Sequence, residues 1–322
     1  MNIFERLQKL DRRWIFLVVA IAIILPLIFP FNSKTYTTEP TEKLYRLIDS
    51  YAPGPNEKPV EKDRAVLLCF THDASTMPEL FPMEIAILRH CFERKIKVFT
   101  ITFIASAAPI MDYAINTVKE EFPEVKSGEN YVNFGFKLGA LQLPIILGMG
   151  EDIAEAVDID AEGRKVSSLP IMKNIKNYNE MNLVMDFSGS SAGGAWITYA
   201  RSKYGANVGV GVTAVMAADE YPYIQTGQIT GMLAGLKGAA EYEKLVDVFA
   251  ANPDPNKKEF SRELLKDPKW DNAITDKGIA YKFKQARIGM NAQSVAHIMI
   301  IVFILIGNIG YFITKYKQKQ QQ

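Results

Sequence analysis

The chain is poor in the residues that metal, redox and hydrolytic chemistry draw on. Two cysteines, Cys69 and Cys91, stand among 322 residues, too few for a disulfide framework. Cys69 lies in an apolar strand and Cys91 on an expected helix, so both read as buried free thiols. Histidine is nearly as scarce, with His72, His90 and His297 far apart. Zinc would need such ligands clustered, so no metal site is expected. There is no Asn-x-Ser/Thr sequon, and nothing points to a glycosylated secretory product. A formal net charge of +1 supplies no broad basic field for nucleic acid.

Two apolar runs are what the chain has in place of these. Residues 14–31 (WIFLVVAIAIILPLIFPF) and 297–314 (HIMIIVFILIGNIGYFIT) carry no Asp, Glu, Lys or Arg. A helix crossing a bilayer needs roughly 20 apolar residues, with a lower limit near 17, so each run reads as a transmembrane helix. No small-x-small cleavage site follows the first, which argues for a retained anchor over a signal peptide. Arg6, Lys9, Arg12 and Arg13 precede the first run, and Lys315, Lys317 and Lys319 follow the second. The positive-inside rule then puts both termini in the cytoplasm and the middle outside. Lys277, Lys282, Lys284 and Arg287 are the counter-signal. The lipid bilayer is thus the first expected partner.

The expected organisation is a cytoplasmic N-terminus (1–13), an anchor (14–31), a stalk (32–63), an α/β domain (64–250), a linker with a juxtamembrane helix (251–296), a second anchor (297–314) and a cytoplasmic tail (315–322). Within the domain, AVLLCF (65–70), KVFTITF (97–103), 131–136, 143–147, 183–187 and 208–215 read as strands. Amphipathic stretches at 79–94, 109–122, 194–204 and 226–250 read as helices. Continuous apolar strands alternating with helices predict a mainly parallel, Rossmann-like sheet covered on both faces.

The opening FERLQKLDRRWIFLVVA, the stretch YIQTGQITGMLAGLKGAAEYE and the closing MNAQSVAHIMIIVFILIGNIGYF together resemble an uncharacterised family of prokaryotic membrane proteins anchored at both ends. The resemblance implies a topology and no activity.

Gly189-Ser190-Ser191-Ala192-Gly193 fits the G-x-S-x-G pattern of a nucleophile elbow between a strand and a helix. Ser191 would then be the nucleophile, with His72 as base and Asp73 or Asp186 as its orienter. His72 precedes the serine, whereas the usual α/β-hydrolase order places the histidine after it. A tight small-residue turn with Ser190 or Ser191 capping the helix explains the same residues more simply. The loop has no lysine and breaks the G-x-G-x-x-G spacing, so no nucleotide cofactor is expected.

Ligands of parallel sheets gather at the carboxyl ends of the strands. That rule nominates His72, Asp73, Asp186, Ser188, Asp219 and Tyr221 as one crevice for a small ligand. Asp158 to Gly163 imitates half an EF-hand loop, but Leu169 occupies the position of the bidentate glutamate, against calcium. Gly227, Gly231 and Gly235 recur every four residues on the expected helix 226–250. They form a bare stripe for a close helix contact, inside the domain or between subunits. The leading expectation is a membrane-anchored binding or scaffold protein that works with protein partners or as a homo-oligomer. A membrane-anchored serine hydrolase is the alternative.

Overall fold

The structure is a computed structural model and describes residues 11–53, 64–190, 193–272 and 284–320. Six strands form one parallel sheet: β1 (Ala65–Thr71), β2 (Lys97–Thr102), β3 (Tyr131–Phe136), β4 (Leu183–Ser188), β5 (Asn207–Val212) and β6 (Gly231–Ala234). Their order is β3-β2-β1-β4-β5-β6 and every pairing is parallel. This is the doubly wound order, which reverses direction between β1 and β4.

Alternate side chains of each strand enter two separate cores. On one face, Val66, Leu68, Phe70, Met185 and Phe187 meet α2 (Glu39–Asp49), α3 (Met77–Glu93), α4 (Ala108–Lys119) and α9 (Gly235–Leu245). On the other, Leu67, Cys69, Phe99, Val184 and Val210 meet α5 (Gln142–Gly148), α6 (Ile153–Val157), α7 (Ser202–Tyr204) and α8 (Ala217–Gln225), with Trp196 of the preceding π-helical turn. Because both faces are covered, the strands read as unbroken apolar runs.

Four expectations change. First, residues 39–49 are no part of a stalk: α2 buries Leu44, Tyr45 and Ile48 completely in the first core. Second, 143–147 is helical, within α5. Third, 251–272 is more than a linker. It holds α10 (Arg262–Leu265) and α11 (Lys269–Asn272), and Phe260, Leu264, Leu265 and Trp270 pack on the core.

The fourth change concerns the glycine stripe. No single helix runs over 226–250. Gly227 turns the chain at φ +73, Gly231 opens β6, and Gly235 at φ +57 opens α9. Positive φ at two of the three positions breaks any helix through them. Gly231 does sit at a close approach, but as a strand residue. A Cβ there would lie 2.7 Å from Leu44 Cβ and 2.8 Å from the Pro40 carbonyl oxygen of α2. Gly227 faces open space.

At the ends, α1 (Arg12–Ile28) and α12 (Gln285–Gln320) pack along one another, with most of their large apolar side chains exposed. Over 285–316, α12 is long and apolar enough to cross a membrane, with a mean hydropathy of 2.2 in its most apolar window. Its base is rooted in the domain. Ala286, Arg287, Ile288, Asn291 and Ala292 are buried. Glu243 of α9 accepts the backbone N–H groups of Ala286 (2.8 Å) and Arg287 (3.1 Å), capping the first turn of α12 from another element. Arg287 reaches Asp247, which also takes Arg89 of α3 at 2.7 Å. Asn291 donates to the Phe31 carbonyl and accepts from Ser33 Oγ at 2.9 Å. The two terminal helices therefore leave the domain side by side. The expected juxtamembrane helix has its start among residues outside the described set.

Candidate functional site

The strand order reverses between β1 and β4, so the loops after these strands diverge and leave a hollow. It holds about 230 Å³ and is lined by Thr71, His72, Asp73, Ser75, Thr76, Ile104, Gly189 and Ser190. The loop after β4 crosses close to the loop after β1. A Cβ on Gly189 would lie 2.6 Å from Thr76 Cγ2, so only glycine fits there without displacing the threonine.

His72 is buried and both its ring nitrogens are occupied. Nδ1 lies 3.0 Å from the Asp73 carbonyl oxygen, and Nε2 lies 2.5 Å from Glu84 Oε1 on α3. The carbonyl can only accept, so Nδ1 carries a proton. The Nε2–Oε1 contact needs a second proton, which histidine and glutamate share. Burial disfavours the imidazolium, but the hydrogen bond and charge of Glu84 outweigh it and raise the His72 pKa. Burial also raises Glu84, against the pull of His72. Glu84 Oε2 is buried with no hydrogen-bond partner among the described residues.

Asp186 lies beneath the same loop, fully engaged. Thr71 Oγ1 donates to Oδ1 at 2.6 Å and Gly193 N donates to Oδ2 at 2.8 Å. Burial raises its pKa. Cys69 Sγ lies 3.3 Å from Thr71 Oγ1, and burial pushes its thiol well above the usual range. Asp73 accepts Ser75 N (2.8 Å) and Ser75 Oγ (2.5 Å), which lower its pKa. Ser188 Oγ accepts from Ser190 N at 3.2 Å and steadies the turn after β4.

The structure thus brings His72 and Asp73 together at the rim of the hollow, with Asp186 and Ser188 supporting it from beneath. It does not bring Asp219 or Tyr221 there. Asp219 is exposed on α8. Tyr221 lines a separate cavity of about 120 Å³ with Thr41, Met232, Lys237 and Glu241. Helix α8 carries both residues away from the point of reversal. Ser191 lies outside the described residues. The hydrogen bonds of His72 and Asp186 run to other groups, and none joins the two among the described residues.

His90 belongs to the core. It stacks on Tyr45 at 4.3 Å and bonds Tyr242 and Asp49. In the EF-hand-like loop, Asp160 is closed by Arg164, whose Nε donates to Oδ2 at 2.8 Å. Sequence reasoning missed Glu84. Its signal was a single acid inside the apolar run of ELFPMEIAIL, where a buried carboxylate needs a partner.

Comparisons with models of known protein families, with curated proteins and with solved structures return no match. Fold and site together define the class, an α/β domain with a small polar crevice at the switch point of its sheet.

Proposed function

We propose that this chain is a membrane-anchored α/β binding protein. Its domain would lie outside the cytoplasm and take a small polar ligand in the crevice between the loops after β1 and β4. The observation that carries this reading is the state of His72. With both nitrogens hydrogen-bonded, the imidazole has no free lone pair to accept a serine proton. It supports the loop instead. The crevice lies at the switch point, where open parallel sheets take their ligands. At about 230 Å³ it is smaller than the roughly 300–1,000 Å³ of sites for drug-sized molecules, so a small ligand suits it.

In this reading α1 and α12 are an antiparallel pair of anchors, with Arg12 and Arg13 at one cytoplasmic end and Lys315 at the other. Part of the opposing charge is already used. Arg287 is buried against Glu243 and Asp247, and Lys284 is buried and engaged. The two terminal groups, seven Lys and Arg residues against the four of the opposing cluster, outvote it under the positive-inside rule. Anchoring at both ends suits a subunit held at a fixed orientation beside membrane partners.

The test has two arms. A fluorophosphonate probe is expected not to label the wild type in a Ser191-dependent way; labelling lost in Ser191→Ala would promote the hydrolase. Small polar compounds are screened by thermal shift on the purified full chain. Stabilisation by a hit should vanish in Ser190→Trp, which fills the crevice. Hits that survive this substitution would move the binding site elsewhere.

A further inference from the structure

A larger groove lies apart from the crevice and shares no lining residue with it. It encloses about 420 Å³ between the segment after α1, the start of α2, and the α10–α11 region, within the roughly 300–1,000 Å³ of ligand sites. Its charges are uneven in their commitments. Glu42 is taken by Arg262 (2.9 Å) and Thr37 (2.7 Å), Glu39 by Lys43 (2.9 Å), and Asp271 by the buried Lys244 (2.9 Å). Lys34 is exposed and has no acidic partner among the described residues. Lys266 pairs only with Glu263, both heavily exposed, a bond easily exchanged. Glu42 and Asp271 are therefore committed to partners, the exposed Glu39–Lys43 pair is as exchangeable as Lys266–Glu263, and Lys34 is left as the unpaired charge among the described residues. Tyr36, Leu265 and Pro268 add apolar surface.

The groove's height is also defined. Lys34 follows Ser33, which is tied to Asn291 at the root of α12. Asn291 precedes His297, where the apolar run begins, by six residues, about 9 Å of helix. The headgroup layer on each side of a bilayer is about 5–8 Å deep. Lys34 and Tyr36, which is 73% exposed, therefore lie on the membrane-facing side of the domain, near the outer edge of the headgroup layer if α12 spans.

We propose that this groove binds the phosphate of a phospholipid headgroup. Lys34 is the principal cation, Lys266 assists, and Tyr36, Leu265 and Pro268 lie against the glycerol region. The inference rests on the membrane-anchored reading above. Its chemistry, a phosphate ester on free cations, is shared by soluble phosphate esters, and the test separates the two sources.

The full chain in non-ionic detergent is titrated with dioctanoyl phosphatidylglycerol, with glycerol 3-phosphate and with dioctanoylglycerol, and bound mass is read by native mass spectrometry. The phosphatidylglycerol is expected to bind. Lys34→Gln should weaken it about tenfold, the order of one charge-assisted hydrogen bond, while Lys34→Arg retains it. Glycerol 3-phosphate binding as tightly as the lipid would overturn the lipid source in favour of a soluble ester. Equal binding of dioctanoylglycerol would overturn the role of phosphate. No binding, or an unaffected Lys34→Gln, would overturn the site. Carbonate extraction of native membranes tests the anchor separately. A chain stripped by carbonate overturns the membrane reading, whereas one that resists it yet binds no phosphatidylglycerol overturns only the groove.

Discussion

Gly231→Ala adds one methyl group where three atoms of α2 already crowd. The new carbon would meet Leu44 Cβ at 2.7 Å, Pro40 O at 2.8 Å and Leu44 N at 2.9 Å. Ordinary carbon contacts begin near about 3.5 Å, so α2 must retreat by roughly 0.6–0.8 Å. Two of the three atoms are main chain, and no side-chain rotation relieves them. The helix must move as a unit, and Leu44, Tyr45 and Ile48, all fully buried, move with it. Overpacking of this kind costs about 1–3 kcal/mol. At about 2–4 °C per kcal/mol for a domain of this size, Tm should fall by roughly 2–12 °C. Gly194→Ala is the paired control, since Gly194 is exposed at a helix start with nothing near its Cβ. It should be neutral or stabilising by about 0.4–1 kcal/mol. Thermal unfolding followed by near-ultraviolet circular dichroism, with native size measured alongside, reads both. A Gly231→Ala chain as stable as the control would refute the contact. Lost assembly at unchanged stability would show that the glycine serves another subunit.

Arg287→Met should cost about 3–5 kcal/mol, because it leaves Glu243 buried without its cation and Asp247 with Arg89 alone; an unchanged denaturant midpoint would contradict the seam between α12 and the domain. The His72–Glu84 pair should make stability fall as pH rises above the unfolded values of its two groups. The His72 pKa is raised by folding, so its contribution is complete below its unfolded value near 6.5 and is lost as pH rises through the folded one. Glu84 is raised too, with the same sign. Unfolding measured across this range should show a slope that His72→Gln flattens, and an equal slope in the variant would exclude the pair as its source. For topology, Tyr36→Cys, at a position 73% exposed, should react with a membrane-impermeant maleimide in intact cells, and Tyr316→Cys, 65% exposed, should not. Cys69 and Cys91 are fully buried and give a silent background. The reverse pattern would put the domain in the cytoplasm.

The central strands were legible because burial on both faces leaves an unbroken apolar run, as in AVLLCF of β1. Short apolar segments were not. The stretch LPIIL carries no period long enough to separate strand from helix, and it folds as α5. GMLA pairs with β5 over only four residues, and its methionine, leucine and alanine are residues that local preference assigns to helix. The segment around Leu44 and Tyr45 looked like a stalk because proline and threonine surround it; its place in the core depends on β6, almost 190 residues later in the sequence. The rule that ligands meet strand ends pointed to the switch-point hollow, where His72 and Asp73 line the wall and Asp186 and Ser188 lie close by. It failed for Asp219 and Tyr221, which a helix carries away from the reversal. It was silent about Glu84, because that residue reaches the strand end from inside a helix. The groove at Lys34 was beyond sequence reasoning, since it joins segments more than 200 residues apart.

The way α12 is rooted bears on the direction in which the crevice faces. A helix of 36 residues is about 54 Å long, against roughly 30 Å of hydrocarbon in a bilayer. The surplus is no free tether. Its first turns are clamped by Glu243, Asp247 and Asn291, and α1 runs alongside. These contacts join the helix pair to the domain at several points, so a change in the tilt of the pair is expected to carry the domain with it. Tilt is the quantity that paired helices adjust when hydrocarbon thickness changes. If the pair spans a bilayer as proposed, the angle at which the crevice meets its surroundings is expected to follow the thickness of that membrane.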